Sequence, residues 1–397
     1  MIHASKRASF LRHSILLAVA LAFALTAFSA AAPAKGKAKG GAKGAAKGAA
    51  ASQSASQPAI KPGKMYPNVP TGPLKPMTEE LVPADALAKD KTSTLLVLHS
   101  NDIHDIIKDP PGNTLGGMAY LAGYDESVRA KRPDTLILNA GDMLQKGDKM
   151  SVVSKGEAAY RALGAIGCDC TVPGNHDFFY GMDALRKDAK LSGVPMICAG
   201  VVYEDNGEPA FPETLEKQVG DVKVGLIGAT VPRGGPTENG RKLKMLAQPE
   251  LGQRVDELAR KIDPDVDLTI LILHNGIGAG KTLAQMAPMV DVVVCGHANE
   301  VTQKPEKAES GALVVEVGRA GQWVGSLDMV VDKTQKKIGK YTYEMVAIDR
   351  KTIQPDQELE KKIAEWDAEW GQGPDSQPAA ENAEGGAAKG AEAEPEE

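Results

Sequence analysis

TLLVLHSNDIH (Thr94–His104) sets the pattern for the chain: a short, unbroken apolar run that ends abruptly in Asn101, Asp102 and His104. An apolar run of this length, closed by polar residues, predicts a strand buried on both faces rather than on one. The construction returns downstream. TLILNAG (Thr135–Gly141) stops at Asp142, and DCTVPG (Asp169–Gly174) stops at Asn175, His176 and Asp177. LTILILH (Leu268–His274) runs into Asn275-Gly276, and VDVVVCG (Val290–Gly296) runs into His297, Ala298 and Asn299. VPMICAG (Val194–Gly200) and VKVGLIGA (Val222–Ala229) read as strands of the same kind. Met118–Lys131, Glu157–Ile166, Met182–Leu191 and Pro249–Ile262 carry helical patterning between them. Strands alternating with helices predict an α/β layered fold. After Gly296, ALVVEVG, QWVGSLDMVVD and KKIGKYTYEMVAID alternate apolar and polar residues and predict antiparallel strands closing the domain. One amphipathic helix follows, with Leu359, Ile363, Trp366 and Trp370 on a single stripe. No internal repeat is visible.

In α/β sheets, sites form outside the carboxyl ends of the strands, and that is where each polar cluster falls. Taken singly, an Asp-x-His is a common surface loop and a Gly-Asp a common turn. Taken together, five strand ends place Asp, His or Asn at one edge. Carboxylate, imidazole and amide oxygen donors suit divalent ions such as Zn, Mn or Fe(II).

The ordered set Asp102/His104, Asp142, Asn175/His176/Asp177, His274 and His297/Asn299 resembles the calcineurin-like metallophosphoesterases, and within them the catalytic domain of the 5'-nucleotidase group. That family carries D-x-H, G-D, G-N-H-[ED], H-x-G and G-H-x-[HNQ] in this order. The amide at Asn299 resembles the nucleotidase branch, and the resemblance runs from about Leu95 to Asp349. It implies a four-layer α/β/β/α sandwich and a hydrolase acting on phosphoric esters with two divalent cations. One cation is expected on Asp102, His104, Asp142 and Asn299. The other is expected on Asp142, Asn175, His274 and His297, with Asp142 bridging. The ions would lie about 3.5–4 Å apart and share a bridging hydroxide in line with phosphorus. His176, with Asp177 beside it, is the catalytic expectation; Asn175, His176 and Arg319 are the expected substrate contacts.

Two departures bear on the substrate. The nucleotidase branch reads G-N-H-E-F-D, its last Asp orienting the histidine, whereas this chain reads GNHDFFYG and has Phe179 there. Nucleotide-hydrolysing relatives also carry a C-terminal domain that grips the base, where this sequence passes from Trp370 into a Gly/Ala/Glu/Pro-rich stretch. The substrate is expected to be a small phosphorylated compound, with a nucleotide as one case. Two other readings stand beside it: a related hydrolase acting on a sulfur-oxyanion or sugar-phosphate ester, and a non-catalytic metal-binding cell-envelope module. NGIGAGKT (Asn275–Thr282) lacks the first glycine of a phosphate loop and reads as a flexible turn after His274. Arg233 and Arg319 sit in Gly-rich loops, either solvated or meeting substrate phosphate.

The ends differ from the middle. A basic start, an apolar run from Ser14 to Ala30 and small residues before Pro33 read as a signal peptide over 1–32, with a single membrane anchor as the other option. This predicts export, to the periplasm or the outside, with no membrane span after cleavage. Residues 33–76 are Lys/Gly/Ala- and then Pro-rich, unable to offset their ordering entropy by burial. They read as a spacer or as a cationic tether to the cell envelope, with no nucleic-acid partner expected. The metallophosphoesterase-like domain is expected over 77–370 and an acidic disordered tail over 371–397. The formal charge of -6 is thus divided between a basic front and an acidic back. Cys168, Cys170, Cys198 and Cys295 lack metal-site spacing and read as buried thiols or one bridge.

Overall fold

A computed structural model describes residues 75–87, 91–110, 113–145, 147–230 and 235–371. The expected signal segment, the linker up to residue 74, Arg233 and the tail from residue 372 lie outside the described residues. The strands are β1 (Met77–Glu80), β2 (Thr92–Ser100), β3 (Thr135–Asn139), β4 (Cys170–Thr171), β5 (Val201–Tyr203), β6 (Thr214–Val219), β7 (Val222–Thr230) and β8 (Thr237–Glu238). They continue as β9 (Arg241–Met245), β10 (Leu268–His274), β11 (Val292–Gly296), β12 (Glu306–Lys307), β13 (Leu313–Val315), β14 (Trp323–Asp332) and β15 (Lys337–Ala347). The helices are α1 (Met118–Arg129), α2 (Lys149–Val153), α3 (Glu157–Ala165), α4 (Met182–Ser192), α5 (Glu250–Ile262), α6 (Gly276–Met286) and α7 (Gln357–Trp370).

Two six-stranded mixed sheets carry the fold, ordered β1-β15-β14-β2-β3-β4 and β12-β13-β11-β10-β7-β6. The unbroken apolar runs are explained by burial on both faces. In β2, Leu95 and Val97 join a core between the sheets with Leu136, Leu138, Ile270, Ile272 and Val292. Leu96 and Leu98 point the other way, to Leu121, Ala158 and Leu163 of α1 and α3. In β10, Leu271 and Leu273 meet Val255 and Leu283 of α5 and α6. Each such Leu or Val contributes about 1.5–3 kcal/mol over its exposed state. The result is an α/β fold of metallophosphoesterase type, helix layer, sheet, sheet, helix layer. The apolar stripe of α7 seats as expected, with Leu359 and Ile363 buried and Trp366 and Trp370 packed against the same core. Asp356 caps this helix, its Oδ1 accepting the Leu359 N–H at 2.6 Å. All four cysteines are free and buried. Among the described residues, no helix is long and apolar enough to cross a membrane.

Three local expectations are corrected. VPMICAG forms no ladder; it makes one bridge, Thr171 to Met196. Its backbone bonds go to three separate segments, Ile197 N to Thr171 O, Cys198 N to Pro212 O and Ala199 N to Gly228 O. Its apolar character reflects burial across both sheets. Leu313–Val315 of ALVVEVG is wholly buried and pairs antiparallel with β12 on one side but parallel with β11 on the other, so it extends the parallel core of the second sheet. NGIGAGKT is the start of helix α6 rather than a flexible turn. A Cβ on Gly280 would lie 2.8 Å from Cys295 Sγ, so the glycine lets the helix press against β11.

Candidate metal centre

Parallel pairing of β3 with β2 and β4, and of β10 with β7 and β11, aligns their carboxyl ends. The loops leaving those ends interlock. Asp102 N donates to Gly141 O at 2.9 Å, and His104 N donates to Asp142 O at 3.0 Å. Asp102, His104, Asp142, His297 and Asn299 all adopt left-handed backbone angles, with φ of 53, 52, 54, 89 and 55°. Asp, Asn and His tolerate this region better than most residues, yet it costs roughly 1 kcal/mol each. Strain of this kind persists where surrounding contacts over-determine it, as functional loops do.

Asp142 is the hub. It is 1% exposed, and its Oδ2 lies 3.1 Å from His274 Nε2. Its Oδ1 accepts the His176 N–H at 2.9 Å. Gly141 and Gly174 make this packing possible: a Cβ on Gly174 would fall 2.1 Å from Asp142 Oδ1, and Gly141 takes φ +86° against Gly174. Beside Asp142, Asp102 is wholly buried, and its Oδ1 lies 3.3 Å from His104 Nε2. His104 Nδ1 lies 3.2 Å from Leu144 O, where an N–H donates, leaving Nε2 for the centre. On the other side, His274 Nδ1 meets Ala140 O at 2.7 Å, so its Nε2 is likewise free to ligate. Asn175 Oδ1 lies 3.3 Å from His274 Nε2 and 2.8 Å from His297 Nδ1.

Two donor clusters result, Asp102/His104/Asp142 and Asp142/His274/His297, each with its ligand atoms within 4.8 Å of one another. They share Asp142, the arrangement of a dinuclear divalent-metal site and the metal-binding motif of metal-dependent phosphoester hydrolases. The donor chemistry asks for cations. Asp102 Oδ1 and Asn299 Oδ1 are buried and accept no hydrogen bond, a cost of about 1–3 kcal/mol or more for each such group. Burial pushes the His274 imidazole down, but the adjacent Asp142 carboxylate outweighs it and holds it up at about 9. Burial, reinforced by the charge of Asp142, lifts Asp177 to about 7.

The remaining expected residues fall as follows. His176 is partly exposed, its Nε2 4.0 Å from Asp142 Oδ2 and its ring edge-on to His104 at 5.6 Å. Asn299 Nδ2 donates to His297 O at 3.3 Å. Arg319 is half-buried in the loop whose Ala320 N donates to Asp102 O. Asp177 turns inward: Oδ2 accepts the N–H groups of Asp142 (2.9 Å) and Gly174 (2.7 Å), and Oδ1 those of Met143 (3.0 Å) and Leu144 (3.2 Å). Phe179 is 57% exposed, and its N–H donates to His176 O at 3.0 Å. Sequence reasoning missed Asp105 and Asp148, which tie the His104 loop down. Asp105 Oδ2 accepts Gln145 N, and Asp148 Oδ2 accepts Ile107 N and Lys108 N. Their acidic character between motif residues was the available signal.

Calcineurin-like phosphoesterase is the family whose model matches residues 95–300, and the chain belongs to that family. It is 27% identical over 294 residues to the endonuclease YhcR of Bacillus subtilis (strain 168), covering 66% of this chain and 24% of that protein. It is 29% identical over 220 residues to the 5'-nucleotidase of Bos taurus, covering 52% of this chain and 38% of that one. The chain spans between 24% and 53% of the length of such curated relatives. Among solved structures, a 5'-nucleotidase precursor from Thermus thermophilus aligns with a TM-score of 0.60 at 22% identity, over 70% of this chain and 59% of that one. That likeness is one of fold.

Proposed function

We propose that the chain is an exported phosphoesterase that hydrolyses a nucleotide-like phosphate ester. The observation that carries this reading is the pair of donor clusters meeting at Asp142. One cation is assigned to Asp102, His104, Asp142 and Asn299. The other is assigned to Asp142, Asn175, His274 and His297. Bound divalent cations supply Lewis-acid neutralisation of phosphate charge and a water-derived nucleophile near neutral pH. The side chains do the rest. Leu144 O and Ala140 O hold the tautomers of His104 and His274, so Nε2 of each faces the centre. His176, half out of the protein beside Asp142, hydrogen-bonds a phosphoryl or leaving-group oxygen and supplies its proton. Asp177 is assigned a positioning role, since its oxygens are taken by four backbone N–H groups. Arg319 is a candidate phosphate contact from the loop over Asp102.

The names of the curated relatives, a 5'-nucleotidase and an endonuclease, support a nucleotide-type ester. The basic, apolar and small-residue order of residues 1–32 supports export. The test is a substrate panel with added Mn or Zn: nucleoside monophosphates, cyclic nucleotides, bis-p-nitrophenyl phosphate and sugar phosphates. Turnover of nucleotides above the rest is expected. Preference for sugar phosphates overturns the substrate assignment, and no turnover of any ester with both metals overturns the activity.

A further inference from the structure

We infer that Asn101 is a positioning residue that chooses which oxygen of Asp102 is offered to a cation, and so controls one of the two metal positions and not the other. Asn101 is 2% exposed and stands at the end of β2. Both polar atoms of its side-chain amide are engaged. Oδ1 accepts the N–H of Val317 at 3.1 Å, and Nδ2 donates to Gly318 O at 2.6 Å and to Asp102 Oδ2 at 2.8 Å. The same Asp102 oxygen accepts the His297 N–H at 2.9 Å. Oδ2 is therefore occupied by two donors, while Oδ1 accepts none and lies 3.3 Å from His104 Nε2.

A carboxylate is symmetric about its C–C bond, so nothing intrinsic to Asp102 decides which oxygen faces His104. Two hydrogen bonds to one oxygen break that symmetry. One comes from the His297 backbone, which every side-chain variant keeps; the other comes from Asn101. Through Val317 and Gly318, the same amide also fastens the loop that carries Ala320, whose N–H donates to Asp102 O at 2.7 Å. Partners that orient a ligand in this way commonly govern metal affinity by about 10- to 100-fold. Because Asp102 belongs to one cluster only, the loss is confined to the position shared with His104. The side-chain bonds of Asn101 go to Asp102, Gly318 and Val317, and none of them goes to Asn175, His274 or His297.

This rests on the two-cation reading above, and one experiment separates the two. Full-length wild type, Asn101→Ala and Asn101→Asp are stripped with chelator and titrated with Mn²⁺ by calorimetry, with the thermal shift on Mn²⁺ addition as a second readout. Asn101→Asp is isosteric and keeps the acceptor for Val317, but it sets an oxygen against Asp102 Oδ2 and Gly318 O. Wild type is expected to take up two ions. Both variants are expected to bind one ion as wild type does, and the other at least about 10-fold more weakly, with a smaller thermal shift. Wild type binding fewer than two ions overturns the two-cation reading. Variants that bind both ions like wild type, or lose both equally, overturn the assignment to Asn101. Failure of both variants to fold also counts against it, because a positioning residue can be lost without the fold.

Discussion

Asp177 accepts the backbone N–H of Asp142 at 2.9 Å, so the acidic residue next to His176 holds the loop of the shared ligand. Three more N–H groups, from Met143, Leu144 and Gly174, complete its shell. Asp177→Asn replaces one acceptor oxygen by an amide that faces donors. Because Asp142 serves both clusters, Mn²⁺ affinity is expected to fall about 10- to 100-fold at both positions. Titration calorimetry checks it, and loss at one position alone contradicts the role given to Asp177.

His176 is expected to matter for turnover more than for metal. In His176→Ala, kcat on an alkyl phosphate should fall about 10²- to 10³-fold, with two metal ions still bound by elemental analysis. An unchanged kcat on a p-nitrophenyl phosphate ester and on the alkyl ester alike would remove His176 from the chemistry.

Phe179 stands where nucleotidase relatives have the carboxylate that orients the histidine, and it is bonded through its N–H to the carbonyl of His176. At 57% exposure it tolerates a polar replacement. Phe179→Asp is expected to raise kcat several-fold on poor alkyl leaving groups and to leave p-nitrophenyl phosphate nearly unchanged. Equal effects on both substrates contradict a missing orienting partner.

The strands and the donor residues at their ends are legible because both are local. A run such as LTILIL needs no partner to declare itself buried on both faces, and His274 follows it directly. What was not legible depends on where distant loops meet. Nothing adjacent to Asp177 shows that its oxygens face Gly174 and the amides of Asp142 to Leu144, more than 30 residues earlier. Helix α6 was hidden because the glycines that argue for a turn are used for close approach, Gly280 against Cys295. VPMICAG carries the apolar trace of a strand because burial and pairing leave the same signature, and only the bonds to Thr171, Pro212 and Gly228 distinguish them.

Away from the centre, Asp188 on α4 is 2% exposed, with Oδ2 accepting no hydrogen bond. Burial, opposed by Lys187 and reinforced by Glu157, pushes its carboxyl up to about 7 from an ordinary value of 3.8. The folded state then holds a proton that the unfolded chain releases. Its contribution to stability is neutral below about pH 4, declines as pH rises towards 7 and stays unfavourable above. Asp188→Asn should flatten the pH dependence across that window and raise Tm at pH 8, by about 2–4 °C per kcal/mol recovered. A lower Tm at pH 8 than wild type contradicts the assignment.

The dinuclear centre bridged by Asp142 is tested most directly by activity against metal equivalents. Chelator-stripped chain is titrated with Mn²⁺ while hydrolysis of a phosphate ester is followed. Activity is expected to stay low through the first equivalent, rise to a plateau at the second, and be abolished at every ratio in Asp142→Asn. Full activity at one equivalent, or activity that persists in excess chelator, would contradict it.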